Sequence, residues 1–210
     1  MLNIKLICAV SQNNIIGKNN KLPWKIREEM QYFKQTTIGD KVNANAVVMG
    51  FNTFESLNFN PLEDRLNIVL TSKDHLKSNS DKKTFFVDSI ENVLLIARSQ
   101  NVENLFVIGG KQIYDLFLKK NLVQEIYYSK IKKDFDGDTV MVDVDWDTYR
   151  LKSVKETELV DYYVYRNVNR PSGENQYLNI LRNILTNHSD TLSCFGSNPV
   201  MHFDLQKDGF

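Results

Sequence analysis

The sequence predicts an α/β fold in which a central mixed sheet is covered by helices. Two observations support this class. Short runs rich in Val, Ile and Leu alternate with helical patterns along most of the 210 residues, as is typical of parallel strands buried on both faces. Later in the chain, residues 125–131, 149–156 and 160–168 are predicted to be strands, and we expect them to be antiparallel.

The individual elements follow from apolar runs, helical spacing and turn residues. Earlier strands are expected at residues 3–10, 46–49, 66–71, 84–87 and 105–108. Helices are expected at residues 26–37, after Gly50, from Asp88 and after Gly110. Asp88 and Glu91 have the spacing of a capping box. The residues expected to face inward in the last two helices are Ile90, Val93, Leu94, Ala97, Ile113, Leu116 and Phe117.

Composition and charge exclude several classes of function. The chain contains 26 basic and 26 acidic residues, so its net charge is zero and we expect neither a nucleic-acid nor a membrane partner. The apolar run at residues 6–10 is too short for a signal peptide, so we expect a cytoplasmic protein. Cys8 and Cys194 are far apart and the three histidines are scattered, so no metal site is predicted.

The first predicted helix presents a carboxylate on its apolar face. Ile26, Met30 and Phe33 form one helical stripe, and Glu29 lies within that stripe. Glu28 points away from it and is expected to be solvated. A buried carboxylate could accept two adjacent N–H donors of a ligand, and its desolvation would raise its pKa toward neutrality.

A second interpretation of Glu29 stays open at this stage. The carboxylate could lie at the edge of the stripe and pair with Lys25 or Arg27, which would make it a structural residue. A buried carboxylate without a partner costs several kcal/mol, so such a residue usually has a polar or cationic partner.

Three predicted strands end in small or hydroxylated residues. Gly50 is followed by Thr53, Ser72-Lys73 follows the strand at residues 66–71, and Gly109-Gly110 follows the strand at residues 105–108. Such turns leave backbone N–H groups free for phosphate, and ligands of open α/β sheets bind at the carboxyl ends of strands. The pattern suggests a dinucleotide, although Gly109-Gly110 could be simply a tight turn and the G-x-G-x-x-G motif is missing.

Together these motifs resemble the dihydrofolate reductase family over residues 1–168. They occur in the family's order and spacing at residues 9–17, Leu22-Pro-Trp24, residues 27–33, Val48-Met-Gly50, residues 65–70, Val107-Ile-Gly-Gly110 and Asp138-Thr139. The resemblance implies a central sheet of about eight strands, mostly parallel with an antiparallel C-terminal strand. It also implies transfer of a hydride from NADPH to dihydrofolate, and binding of antifolates.

The resemblance assigns roles to individual residues. Glu29 matches the active-site acid, Trp24 a residue that holds a water near it, and Leu22 part of a mobile loop over the nicotinamide. Positions matching substrate contacts are Ile7, Ala9, Met30, Phe33, Ser56, Leu57, Arg65, Ile108, Tyr114 and Ser129. Positions matching cofactor contacts are Ala9, Ile16, Gly17, Gly50, Asn52, Thr53, Ser72, Lys73, Gly109, Gly110, Lys111, Gln112 and Ile113. The family carries a cis peptide bond at its paired glycines, which Gly109-Gly110 would supply.

Two departures from the family pattern affect the predicted site. Phe51 stands where the family usually has Arg or Lys near the 2′-phosphate of the cofactor, so the preference for NADPH is expected to rest on Lys73. Ser129 replaces a threonine that usually bonds the acid, but it keeps the hydroxyl.

The C-terminal segment is predicted to be separate from the reductase. Residues 169–173 are a short linker, and residues 174–210 resemble an incomplete first part of thymidylate synthase, as in bifunctional reductase–synthase proteins. We expect no synthase activity, because the nucleophilic cysteine of that family lies farther downstream. Alternatively, the segment is a terminal helix and hairpin that packs on the reductase or mediates self-association.

Two alternatives to an active dihydrofolate reductase remain. The domain could be a catalytically weak folate- or nucleotide-binding scaffold of a larger reductase–synthase assembly. It could also reduce a different pterin-like or pyrimidine substrate, but Arg65 favours folate, because only a folate-type tail carries the α-carboxylate that this arginine would bind.

Overall fold

The protein is described from a computed structural model that covers residues 2–42, 44–73 and 83–169. The predicted segment at residues 174–210 and nearly all of the linker before it lie outside these residues. The strands are β1 (Asn3–Val10), β2 (Ile15–Gly17), β3 (Asn45–Gly50), β4 (Leu66–Leu70), β5 (Thr84–Val87), β6 (Asn104–Gly109), β7 (Glu125–Ile131), β8 (Thr139–Val140), β9 (Tyr149–Glu156) and β10 (Val160–Asn167). The helices are α1 (Arg27–Ile38), α2 (Phe51–Ser56), α3 (Ile90–Ser99) and α4 (Lys111–Lys119).

Eight of the strands form one sheet in the order β5-β4-β3-β6-β1-β7-β10-β9, which confirms the predicted fold class. All neighbours are parallel except those of β10, which runs antiparallel to both β7 and β9. Residues 125–131 were expected to form an antiparallel strand, and β7 is indeed antiparallel to β10. On its other side β7 pairs parallel with β1, because α4 carries the chain back across the sheet after β6.

The helices correspond to the predicted ones with small differences at their ends. Helix α3 is capped by Ser89, whose hydroxyl accepts a hydrogen bond from the backbone N–H of Asn92. The predicted cap, Asp88, instead accepts from the side-chain amide of Asn92. In α4, Leu116 is only half-buried, whereas Tyr114, which was not predicted to face inward, is buried beside Gly109. No helix in the described part of the chain is long and apolar enough to cross a membrane.

The core lies on both faces of the parallel strands, and α1 covers one of these faces. Nearly every residue of β3 and β4 is buried, as expected for strands that are covered on both sides. Tyr32 and Phe33 of α1 pack on a cluster formed by Ile7, Val47, Met49, Phe54, Val69 and Phe106. This contact holds α1 against the sheet close to the end of β1.

Glu125 in β7 is a buried glutamate whose ion pairs connect this strand to β1, β9 and β10. Glu125 of β7 lies 3.7 Å from the Lys5 ammonium, 2.9 Å from that of Lys152 and 3.6 Å from Nε of Arg166. Burial raises the pKa of Glu125, but the hydrogen bond from Lys152 and the charges of all three cations outweigh it, so the pKa is lowered. The pKa of Lys5 is lowered, first by burial and also by the charges of Lys152 and Arg166, although Glu125 opposes this shift.

We expect Glu125→Gln to destabilise the protein by roughly 1–3 kcal/mol at pH 7, because it leaves partly buried Lys5 without its countercharge. The pKa of Glu125 is lower in the folded than in the unfolded state. Its contribution is therefore present above the unfolded-state pKa of about 4.3 and is lost as the pH falls through the lower folded-state value. Urea unfolding of both proteins at pH 7 and pH 3.5 measures this difference.

The matched control is Glu158→Gln, because Glu158 is exposed and carries no ion pair among the described residues. Its effect should stay below about 0.5 kcal/mol at either pH. A pH-independent loss in Glu125→Gln would mean that the glutamate acts through packing and not through its charge.

Candidate active site

Glu29 is buried on the sheet-facing side of α1. Its side chain is only 5% exposed, whereas Met30 is 51% exposed and lies at the edge of the packed face. Burial raises the pKa of Glu29 to about 7. Within the described residues, neither Lys25 nor Arg27 forms an ion pair with it, and no side chain donates a hydrogen bond to it. The carboxylate is therefore available to a ligand, and the structural alternative with a lysine or arginine partner is not realised.

Glu28 differs from the prediction of a solvated residue. It is half-buried, and its Oε1 accepts a hydrogen bond of 3.0 Å from the hydroxyl of Thr157. Thr157 belongs to the turn between β9 and β10, which reaches over the first turn of α1. This contact joins residues 129 positions apart, so helical periodicity could not reveal it.

Two of the predicted site residues near the start of α1, Trp24 and Ser129, carry buried polar atoms. Trp24 packs with Ile131, Val160 and Tyr162, and its ring meets Phe135 edge-on at 5.2 Å. Its Nε1 and the hydroxyl of Ser129 are buried without a hydrogen-bond partner in the described part of the chain. The expected bond from Ser129 to Glu29 is thus not formed, although Ser129 lies on the face of β7 that α1 covers. Both groups can bind a polar ligand atom or an ordered water.

Arg65 is held rigidly at the other end of α1. The arginine is 4% exposed; its Nε donates to the Glu63 carbonyl at 2.9 Å, and one terminal nitrogen donates to the Thr37 hydroxyl at 2.7 Å. A guanidinium has five N–H groups, so these two bonds leave three for a ligand. Burial lowers the pKa of Arg65, but an arginine remains a cation in a protein.

Sequence reasoning missed the residues that position this arginine. Thr37 donates its own proton to the Phe33 carbonyl at 2.7 Å, which directs its oxygen toward Arg65. The Asn45 side-chain amide donates to the carbonyls of Thr37 and Ile38 at 3.2 and 3.0 Å and so holds the end of the helix. Thr37 stands out in the sequence as a threonine in the last helical turn before Gly39. Its partner Arg65 is 28 residues away, so helical spacing could not identify the contact.

The paired glycines lie beside buried Tyr114. The Gly109–Gly110 peptide bond is cis, as the family resemblance implied. Gly109 has a φ of +108°, and a Cβ there would lie 3.0 Å from the Tyr114 ring, so only glycine suits this position. The Tyr114 hydroxyl donates to the Ile7 carbonyl at 2.9 Å. Burial raises the pKa of Tyr114, so this hydroxyl keeps its proton.

Several predicted cofactor residues meet at the carboxyl ends of β3 and β6. A Cβ on Gly50 would lie 3.1 Å from Ile113, and one on Gly110 would lie 3.4 Å from the Thr53 hydroxyl. These close approaches leave a surface of backbone and small side chains that an elongated ligand could contact. Residues that lie exposed around it are Asn52, Ser72, Lys73, Lys111 and Gln112.

The remaining predicted residues lie at the rim of the same edge of the sheet. Gly17 pairs with Thr139 in β8, which fixes the short strand β2 that contains Ile16, while Leu22 is 56% exposed. Ser56 donates to the Thr53 carbonyl at 2.6 Å. The half-buried residues there are Ala9, Ile16, Leu57 and Ile108. In the described residues, no cluster of His, Cys, Asp or Glu could hold a metal ion.

Gly50 and Gly110 lie at one edge of the sheet with Thr53 and Ile113, and the exposed cation Lys73 follows the neighbouring strand. Buried Glu29 lies in the first turn of α1, and buried Arg65 is bonded to Thr37 in its last turn. The fold and the site define an NADPH-dependent oxidoreductase built on an open α/β sheet.

The chain belongs to the dihydrofolate reductase family, whose model matches residues 3–168. A putative dihydrofolate reductase of Caenorhabditis elegans is 35% identical over 167 residues, which is 76% of this chain and 86% of that protein. The dihydrofolate reductase of Ureaplasma parvum is 34% identical over 162 residues, covering 76% and 96%. A solved structure of the Enterococcus faecalis enzyme with NADP(H) and RAB-propyl has a TM-score of 0.65 and 26% identity, covering 79% of this chain and 96% of the other.

A bifunctional relative extends the similarity along the chain. The dihydrofolate reductase-thymidylate synthase of Paramecium tetraurelia is 28% identical over 221 aligned residues, which span 95% of this chain and 45% of that protein. The alignment therefore continues beyond residue 168, where the reductase family model ends.

We expect Glu29→Gln to stabilise the protein at pH 8 by up to about 4 kcal/mol. The folded-state pKa of about 7 lies above the unfolded-state value of about 4.3, so the carboxylate opposes folding increasingly as the pH rises between these values. Below about pH 4 Glu29 is protonated in both states, and the difference from wild type should nearly disappear. Urea unfolding at pH 8 and pH 4 tests this.

Glu28→Gln is the control, since its amide oxygen can still accept from Thr157. Equal stability of Glu29→Gln and wild type at pH 8 would show that the folded protein already compensates the Glu29 charge.

Proposed function

We propose that this chain reduces dihydrofolate with NADPH and that Glu29 is the group that binds and protonates the substrate. The observation that carries this proposal is a carboxylate that is 5% exposed, has no protein partner among the described residues and has a pKa of about 7. In the reaction, the C=N5 bond of the pterin receives a hydride at carbon and a proton at nitrogen. The residues of the chain bind both reactants and promote the proton transfer.

Glu29 suits the pterin because of its geometry and its proton affinity. Its two oxygens can accept the adjacent 2-amino and N3 hydrogens of the ring. A group with a pKa near 7 is also best suited to share a proton with its ligand at neutral pH. Exposed Met30 and half-buried Phe33 offer apolar walls on either side. We assign water-binding near the acid to the free Nε1 of Trp24.

Arg65 is proposed to bind the α-carboxylate of the folate tail. Its three remaining N–H groups can form a bidentate pair, and Thr37 and the Glu63 carbonyl already hold the guanidinium in place. Because the guanidinium is already held in place, less conformational entropy is lost when the ligand binds. The position of Arg65 supports a folate as the substrate over a pterin or pyrimidine that lacks such a tail.

NADPH, when bound, supplies the hydride. We propose that Gly50, Thr53, Gly110 and Ile113 hold it, because Ile113 lies close to Gly50 and Thr53 lies close to Gly110 at the ends of β3 and β6. The exposed Lys73 is proposed to bind the 2′-phosphate, which would make NADPH preferred over NADH. The other cofactor positions of the family, including Ser72, Lys111 and Gln112, surround this group of residues.

We expect Glu29→Gln to lower kcat/KM for dihydrofolate by about 10²–10⁴-fold at pH 7. An amide cannot accept both the 2-amino and the N3 hydrogen of the pterin, and it cannot support protonation at N5. Glu28→Gln should stay within about two-fold of wild type. Steady-state oxidation of NADPH with dihydrofolate measures both variants, and equal losses in the two would contradict the assignment of Glu29.

For residues 169–210 we propose no separate enzymatic activity. The alignment with the Paramecium tetraurelia bifunctional protein supports a relation to the start of a synthase domain. The sequence of residues 174–185 predicts an amphipathic helix with Tyr177, Ile180, Leu181, Ile184 and Leu185 on one face. Such an apolar face favours association with another surface, which includes a second copy of the chain. The cytoplasmic location remains a prediction from the sequence.

We expect deletion of residues 172–210 to leave the Michaelis constants for dihydrofolate and NADPH within about two-fold, because every proposed site residue precedes residue 130. Solubility or oligomeric state should change instead. Kinetics and size-exclusion chromatography with light scattering test both parts. A loss of turnover in a truncated protein with native circular dichroism would show that the tail contributes to the active site.

A further inference from the structure

We infer that Phe51 is a positioning residue for cofactor selectivity: its ring holds the ammonium of Lys73 at the place where that charge meets the 2′-phosphate. The inference rests on the proposed role of Lys73 in binding NADPH. It concerns a position at which the chain departs from the family's usual Arg or Lys.

The two residues are brought together by neighbouring parallel strands. Gly50 at the end of β3 is in register with Leu70 at the end of β4, so Phe51 and Lys73 leave the sheet at the same edge. The backbone N–H of Lys73 donates to the Thr71 hydroxyl at 3.2 Å, which fixes the start of the lysine side chain. Both residues thus lie beside the glycine surface at the ends of β3 and β6.

The contact between them is a close cation–π interaction. Lys73 Nζ lies 3.6 Å from the centroid of the Phe51 ring, well within the distance of about 6 Å at which such pairs attract. Within residues 2–42, 44–73 and 83–169, no carboxylate forms an ion pair with Lys73. The ring therefore holds the ammonium without neutralising it, and the full charge remains available to an anion.

The ring itself is held by other aromatic side chains. Phe51 packs on the core cluster beneath α1, and its centroid lies 5.9 Å from that of Phe59. Phe59 in turn meets buried Phe54 edge-on at 5.8 Å. Phe59 has a positive φ of 59°, a conformation that is uncommon for a bulky residue and that places its ring against both neighbours.

The Phe51 ring restricts the side chain of Lys73, and this compensates for the cation that the family usually has at position 51. An exposed lysine has many rotamers, and most of that freedom is lost when it binds a phosphate. Because the Phe51 ring restricts the ammonium before the ligand arrives, less freedom is lost on binding. Phe51 therefore favours a ligand that carries the 2′-phosphate and leaves one without it unaffected.

The test measures binding of adenosine 2′,5′-bisphosphate and of adenosine 5′-monophosphate to the full chain by calorimetry. We expect Phe51→Leu to weaken the bisphosphate about two- to five-fold and to leave the monophosphate unchanged. Phe51→Tyr, which keeps the ring face, should bind both like wild type. Lys73→Met should weaken the bisphosphate by about ten-fold or more, and adding Phe51→Leu to it should have no further effect.

Fluorination of the ring gives a second measurement in which the shape of residue 51 is nearly unchanged. Site-specific replacement of Phe51 by mono-, di- and trifluorinated phenylalanine weakens the negative face of the ring step by step. The affinity for the bisphosphate should fall with each fluorine, while that for the monophosphate stays constant.

The outcomes distinguish the positioning role of Phe51 from the proposed role of Lys73 in binding the 2′-phosphate. Equal weakening of both nucleotides by Phe51→Leu, or no trend with fluorination, would mean that Phe51 only packs, and the inference would be wrong while Lys73 kept its role. An unchanged bisphosphate affinity in Lys73→Met would overturn both the inference and the assignment of Lys73, without affecting that of Glu29.

Discussion

The burial of one carboxylate determines how the rest of this site is arranged. Glu29 lies on the face of α1 that packs on the sheet, and the folded protein gives it no countercharge among the described residues. Such a group opposes folding at neutral pH, so the surrounding packing must hold α1 in place against that cost. Phe33 and Tyr32 on the core cluster and Trp24 near the start of the helix provide this packing. The same desolvation that destabilises the fold gives the acid a pKa suited to proton transfer.

Both ends of α1 are tied to distant parts of the chain, and each tie has a functional consequence. At the first turn, Glu28 accepts from Thr157, while at the last turn Thr37 connects the helix to Arg65. One helix thus sets the distance between the carboxylate of Glu29 and the guanidinium of Arg65. A small displacement of α1 would misplace both groups at once.

The cofactor side of the site depends on close approach rather than on charge. Gly50 and Gly110 allow Ile113 and Thr53 to come within contact distance, and Gly109 allows Tyr114 to pack directly on the turn. Tyr114 then reaches the Ile7 carbonyl and so connects the paired glycines to β1 beside the substrate region. Exposed Lys73 and Lys111 flank this surface, and the ammonium of Lys73 lies over the aromatic ring of Phe51.

Local chemistry in the sequence determined the inward direction of Glu29, the glycines at the strand ends and nearly all of the strands and helices, because these follow from periodicity and backbone preference within a few residues. The succession of strands and helices along the chain, together with the family resemblance, was enough to predict the fold class. Only the tertiary structure decided that β7 is parallel to β1, that Glu28 bonds Thr157, that Ser129 leaves Glu29 without a hydrogen bond, and that Phe51 holds Lys73. These are contacts between segments far apart in the chain, and no local pattern encodes them, because they depend on where whole elements pack.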